Sequence, residues 1–129
     1  MLRWTVVSAM AIIVAGSAQA RSVDPDFSGV WMRGDGNARV KIAACGQDIC
    51  ATNVWVGDTS KGEEVGDRLV LDVAPQSAST LKGKAYDVKR DLTYAITITV
   101  RDRTMKTRGC VLLGIVCKTA SWTRLGDAY

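Results

Sequence analysis

Histidine is missing altogether from the 129 residues. Its absence removes the commonest general base near neutral pH and the commonest nitrogen ligand for transition metals. A Ser-His-Asp triad is therefore impossible, and neither a metal nor a cofactor is expected. Proline occurs twice and phenylalanine once. No apolar pattern of helical period lasts three turns, which argues against a helical bundle. There is no Cys-x-x-Cys, no glycine-rich phosphate loop after a strand, no internal repeat and no low-complexity segment.

The first twenty residues read as a targeting segment. Arg3 supplies the positive start, Trp4 to Gly16 is almost wholly apolar, and Ala18-Gln19-Ala20 is a small-residue cleavage site. The apolar run is too short to span a bilayer comfortably as a helix. Residues 1–20 are thus expected to be a cleaved signal peptide and residues 21–129 one domain of 109 residues, exported to a bacterial periplasm or secreted. Without Arg3, 16 basic residues face 13 acidic ones. That mild excess is no nucleic-acid footprint.

What remains is rich in period-2 alternation. Phe27–Arg33 is an opening strand that ends in the turn Gly34-Asp35-Gly36-Asn37, with Asp24-Pro25 before it as a single helical turn sealing the end. Ala38–Ala44 follows, with Val40 and Ile42 alternating with Arg39 and Lys41. Further strands are expected at Ala51–Val56, Asp67–Val73, Leu81–Val88, Leu92–Val100, Thr104–Gly109 and Lys118–Leu125. The clearest has Leu92, Tyr94, Ile96, Ile98 and Val100 on one face and Thr93, Ala95, Thr97 and Thr99 on the other. Eight strands with short connections predict an all-β fold, an eight-stranded antiparallel up-and-down barrel whose closure removes exposed edges.

Four cysteines in an exported chain suggest two disulfides. Cys45 and Cys50 flank one reversal and Cys110 and Cys117 another, so antiparallel pairing should set each pair opposite. Local bridges of that length stabilise by about 2 kcal/mol each. Gly29-Val30-Trp31 near the start and Arg124 near the end resemble the ends of lipocalin-like (calycin) barrels, and that resemblance implies that Trp31 plugs the closed end while the Arg124 guanidinium lies across its face. Trp122 reads as a core or rim residue.

The pattern Gly29-Val30-Trp31, Cys45-Gly46-x3-Cys50, Val54-Trp55, Tyr86-Asp87, Tyr94, Arg108-Gly109-Cys110 and Ser121-Trp122-Thr123-Arg124 resembles the domain-of-unknown-function family 2147. These are small exported bacterial proteins regarded as lipocalin-like, of the calycin type. The resemblance runs from Phe27 to Leu125 and implies the barrel fold but no activity. Val88 and Asp91 stand where the family often has Pro and Gly, and the connection before Leu81 matches poorly.

For function, Trp55, Tyr86 and Tyr94 are candidates to line a barrel mouth. Val111–Val116, with Leu112 and Leu113, is an unusual apolar loop that is either a lip or core folded back over the barrel end. Arg101, Arg103, Lys106 and Arg108 form a basic hairpin that suits anionic lipid headgroups or lipopolysaccharide phosphates. No aromatic residues interleave with these charges, so nucleic acid is not expected. Asp72 and Asp87 lie in or beside strands where they could point inward, but no pair of carboxylates is seen to converge, and no catalytic residue is assigned. The leading expectation is an envelope barrel that binds a lipid-like ligand. The alternative is a solid barrel acting through surface contacts, and an enzyme on envelope polymers stands third.

Overall fold

The computed structural model describes residues 8–13 and 25–126. The expected cleavage site and Asp24 lie outside the described residues. Eight strands follow in order: β1 (Gly29–Arg33), β2 (Ala38–Cys45), β3 (Asp48–Val56), β4 (Arg68–Pro75), β5 (Thr80–Asp87), β6 (Leu92–Arg101), β7 (Thr104–Val111) and β8 (Val116–Arg124). Each pairs antiparallel with the next, and β1 also pairs with β8, with Trp31 opposite Arg124. The result is the expected closed up-and-down barrel.

The interior is filled by the alternating apolar set. Val40, Ile42, Ile49, Leu71, Val73, Leu81, Ala85, Ile96, Ile98, Val100 and Met105 form one buried cluster, and Leu81 and Ile98 have almost no exposed surface. Tyr94 sits half-buried on that cluster, as the alternation of β6 requires. An eight-stranded barrel has room for little more than its own side chains.

One end is plugged by Phe27, Trp31 and Arg124. The Trp31 indole is wholly buried and donates to the Phe27 carbonyl at 3.0 Å. The Arg124 guanidinium lies 4.3 Å from the Trp31 ring centroid and donates to the Ser28 carbonyl, and to that of Asp26 at 3.0 Å. The expected helical turn does not form here, because Pro25 to Ser28 is irregular. Asp26 accepts instead from the Ser28 amide at 3.0 Å and its hydroxyl at 2.6 Å, a local bond set that competes with helix. β1 accordingly starts at Gly29, whose φ of 109° an L side chain would rarely adopt.

Both cysteine pairs are bridged, but only one pair stands face to face. Cys110 lies opposite Cys117, with their Cα atoms 4.1 Å apart. The β2–β3 reversal is tighter than expected: Gly46-Gln47 alone makes the turn, so Cys45 pairs with Asp48 and Cys50 with Ala43. That disulfide therefore crosses the ladder diagonally, at 5.8 Å between Cα atoms. Further along, the register slips between Arg39 and Val40, which face Trp55 and Asn53. The extra residue, Val54, is a bulge that turns Trp55 to the outer wall, where Arg39 lies 5.0 Å from its ring.

Candidate functional site

The end opposite the Trp31 plug is a rim of four connections: residues 34–37, 57–67, 88–91 and 112–115. Strand alternation aims Arg33, two residues after Trp31, into this end. Its guanidinium forks onto Glu63 at 2.5 and 2.7 Å and holds Asp35 at 3.0 Å. Asn37 donates to Glu63 at 3.2 Å and to the Asp58 carbonyl at 3.1 Å. The long β3–β4 connection is thus drawn across the mouth by a bidentate, partly buried ion pair. Lys89 fastens the same loop from the other side, at 3.2 Å from Glu64 and 3.3 Å from Asp67.

The Arg33 bonds hold the Glu63 carboxyl below the ordinary glutamate range. A carboxyl depressed on folding stabilises the native state above its unfolded pKa, about 4.3, and that stabilisation is lost as pH falls through the lower folded value. The β3–β4 loop is therefore expected to lose amide protection in acid below about pH 4, before the barrel itself unfolds. Hydrogen exchange across an acid titration checks this. In Glu63→Gln the loop should be loose already at neutral pH and show little further change.

Beside this polar mouth stands an apolar tip. β7 and β8 run further than expected, to Val111 and from Val116, so the turn is only Leu112 to Ile115. It does not fold back as core: Leu112 is 69%, Leu113 104% and Ile115 82% exposed. Leu112, Leu113 and Gly114 all hold positive φ, at 53°, 56° and 86°. Tight hairpin turns with left-handed central residues favour Asn-Gly, and an L-leucine there costs on the order of 1 kcal/mol. The tip thus shows large apolar side chains where local chemistry prefers small polar ones, and the Cys110–Cys117 bridge braces its base.

The remaining expected residues are dispersed. Tyr94 is the one mouth candidate that faces inward: its ring lies over Gly109, where an added Cβ would meet it at 3.0 Å. Burial raises the Tyr94 phenol pKa. Trp122 also faces in and donates to the Thr107 hydroxyl at 3.0 Å. Tyr86 instead lies on the outer face of β5, its hydroxyl 2.7 Å from Asp91, and Trp55 is likewise outside. Asp91 holds a left-handed φ of 50°, a conformation that glycine adopts most freely and that Asp tolerates better than most L residues. Asp72 is exposed on the outer wall, whereas Asp87 is buried and receives Arg90 at 3.0 Å and the amides of Lys89 and Arg90. Asp87 is thus a turn cap rather than half of a carboxylate pair.

The basic hairpin is split along its length. Arg101 and Arg103 flank the β6–β7 turn at the plugged end, and Arg103 donates to the Arg124 carbonyl at 3.3 Å. Lys106 and Arg108 climb the outer wall of β7 toward the tip. The hairpin end and the tip are separated by the length of β7, roughly 25 Å, so they do not form one surface. Among the described residues no group of three or more Cys, Asp or Glu is placed to hold a metal ion. A shallow open depression lined by Thr52, Asp67, Arg68 and Lys89 lies on the outside.

The Arg33–Glu63 clamp is the main feature not foreseen. Its sequence signal is Arg33 itself, on the face of Trp31; the partner comes from a loop thirty residues away. No curated protein and no solved structure matched the chain. The family model described as "Uncharacterized protein conserved in bacteria (DUF2147)" matches residues 29–124, from the first residue of β1 to the last of β8. The chain, a two-disulfide closed barrel of the kind found outside the cytoplasm, belongs to that uncharacterised bacterial family.

Proposed function

We propose that this is an exported protein of the bacterial cell envelope that works by surface contact, a solid barrel whose β7–β8 tip seats in lipid. The observation that carries this is the exposure of Leu112, Leu113 and Ile115 on a disulfide-braced turn. Each such side chain contributes roughly 1.5–3 kcal/mol when moved from water into hydrocarbon. A braced loop also loses little conformational freedom on docking. An internal lipid is the less favoured alternative, because buried side chains occupy the barrel and the Arg33–Glu63 pair spans its mouth. The apolar amino-terminal run and the two disulfides support export.

The test is a double substitution, Leu112→Ser with Leu113→Asn. It should weaken partition onto phosphatidylcholine vesicles at least about tenfold, the equivalent of one leucine's transfer energy. The melting temperature should hold or rise slightly, since Asn suits the left-handed turn. A large fall in melting temperature with vesicle binding intact would make the tip a structural element and end the proposal.

A further inference from the structure

The outer wall of β5–β8 carries a lattice of cations that the sequence order hides. Register places Lys82 of β5 and Arg108 of β7 on either side of Thr97, with Thr119 next to Arg108. One row away, Lys106 lies between Thr99 and Ser121. Lys84 and Arg101 extend the same face toward its two ends. Rows two residues apart are about 7 Å from each other, and Lys82 and Arg108, two strands apart, are about 10 Å apart.

Charge and composition set this face off from the rest of the barrel. None of these five cations is ion-paired among the described residues, where the pairs involve Arg33, Lys89 and Arg90. No carboxylate projects from the outer face of β5–β8. Asp72 stands opposite Lys84 at the β4 edge, and Asp102 lies in the β6–β7 turn. The acidic residues gather instead in the rim loops, at Asp35, Asp58, Glu63, Glu64, Asp67 and Asp91. The wall also lacks Val, Leu, Ile and Phe, and its one aromatic, Tyr86, sits at the rim end.

We infer that this wall docks an extended acidic polysaccharide, its acidic groups meeting Lys82, Lys106 and Arg108 and its hydroxyls meeting Thr97, Thr99, Thr119 and Ser121. A hydroxyl both donates and accepts, so side chains of this kind between cations match a chain of sugar hydroxyls between anions. A bilayer surface fits less well, because the wall has no aliphatic side chain to enter it. Nucleic acid fits less well too, because no aromatics alternate with the charges to stack on bases. This inference is independent of the tip, which lies on the rim.

The test uses the full mature chain and polygalacturonate, a linear carboxylated polysaccharide, with neutral dextran as comparison. The protein should bind polygalacturonate and not dextran, with affinity falling as salt rises. Lys106→Gln with Arg108→Gln should weaken binding about tenfold at low salt and lower the log–log salt slope by about 1.4, by analogy with single-stranded polyanions at roughly 0.7 per contact. Lys82→Gln with Lys84→Gln, on the neighbouring strand, should act in the same direction. Lys41→Gln with Arg68→Gln removes equal charge from the exposed β2–β4 side and, in about 0.1 M salt, should change affinity by less than about twofold, because exposed charges more than about 10 Å from a site are largely screened. Equal losses in all three variants would reduce the effect to net charge and overturn the assignment. So would failure of the parent protein to bind polygalacturonate. Binding of anionic vesicles through Lys106 and Arg108, with polysaccharide binding unchanged, would give the wall to a membrane instead.

Discussion

Trp31→Ala is expected to cost about 3–5 kcal/mol of folding stability, the usual penalty for emptying a buried tryptophan site. Domains of this size are held by only about 5–15 kcal/mol in all, so the variant should be close to unfolding at growth temperature. Little relaxation can repair the loss. Trp31 is wholly buried, its indole N–H is satisfied by Phe27, and Arg124 covers its face. Arg124→Ala alone should cost less, because the arginine is partly exposed. The two losses should not add: once the ring is gone, the guanidinium has no face to cover, and a double-mutant cycle should give a coupling of about 1 kcal/mol or more. Simple additivity in urea denaturation would separate the two residues and undo the account of the plugged end.

Gly83→Ala is the second large effect, and here two influences compete. Strand propensity favours Ala over Gly, but the whole propensity scale spans only about 1 kcal/mol. Against it stands a collision: a Cβ at position 83 would lie 1.9 Å from the Asp72 carbonyl oxygen and 2.8 Å from the Val73 Cα. These are backbone atoms of β4, so no side-chain rotation relieves the overlap and the β4–β5 ladder must part. Overpacking of this kind costs about 3 kcal/mol, so sterics should win. Calorimetry of the variant should show a melting temperature lower by about 10 °C or more for a domain of this length. A stabilised variant would mean that the β4–β5 ladder is looser than this packing requires.

Much of the barrel was legible because its signals are local. The alternation from Leu92 to Val100 names the inward face without any knowledge of neighbours, and Tyr94 lies where that period puts it. Trp31 and Arg124 were paired through the family likeness, and the two cysteine pairs through their short separations. What escaped was set by register between strands. A turn shorter than expected moved Cys50 from opposite Cys45 to opposite Ala43, and one bulge residue sent Trp55 outside. The same dependence hid the wall: Lys82 and Lys84 are more than twenty residues from Lys106 and Arg108, and only β6 between them brings the four together. Glu63 sits in a polar loop with no periodicity to direct it, so the only trace of the contact is Arg33, a charged residue on the inward face of β1, and nothing in the loop names its partner. The tip was visible as an apolar run, but its exposure follows from left-handed leucines that no sequence pattern announces.

The central claim is that contact is made from the outside of a filled barrel, and nuclear magnetic resonance with spin-labelled lipid tests it most directly. With the 15N-labelled protein bound to phosphatidylcholine vesicles or micelles carrying doxyl-labelled lipid, amide signals of Leu112, Leu113, Gly114 and Ile115 should broaden strongly. Those of Leu81, Ile96 and Ile98, in the interior, should keep their intensity. Broadening that instead ran inward through Tyr94, Ile96 and Ile98, leaving the tip untouched, would place the lipid inside the barrel and contradict the account.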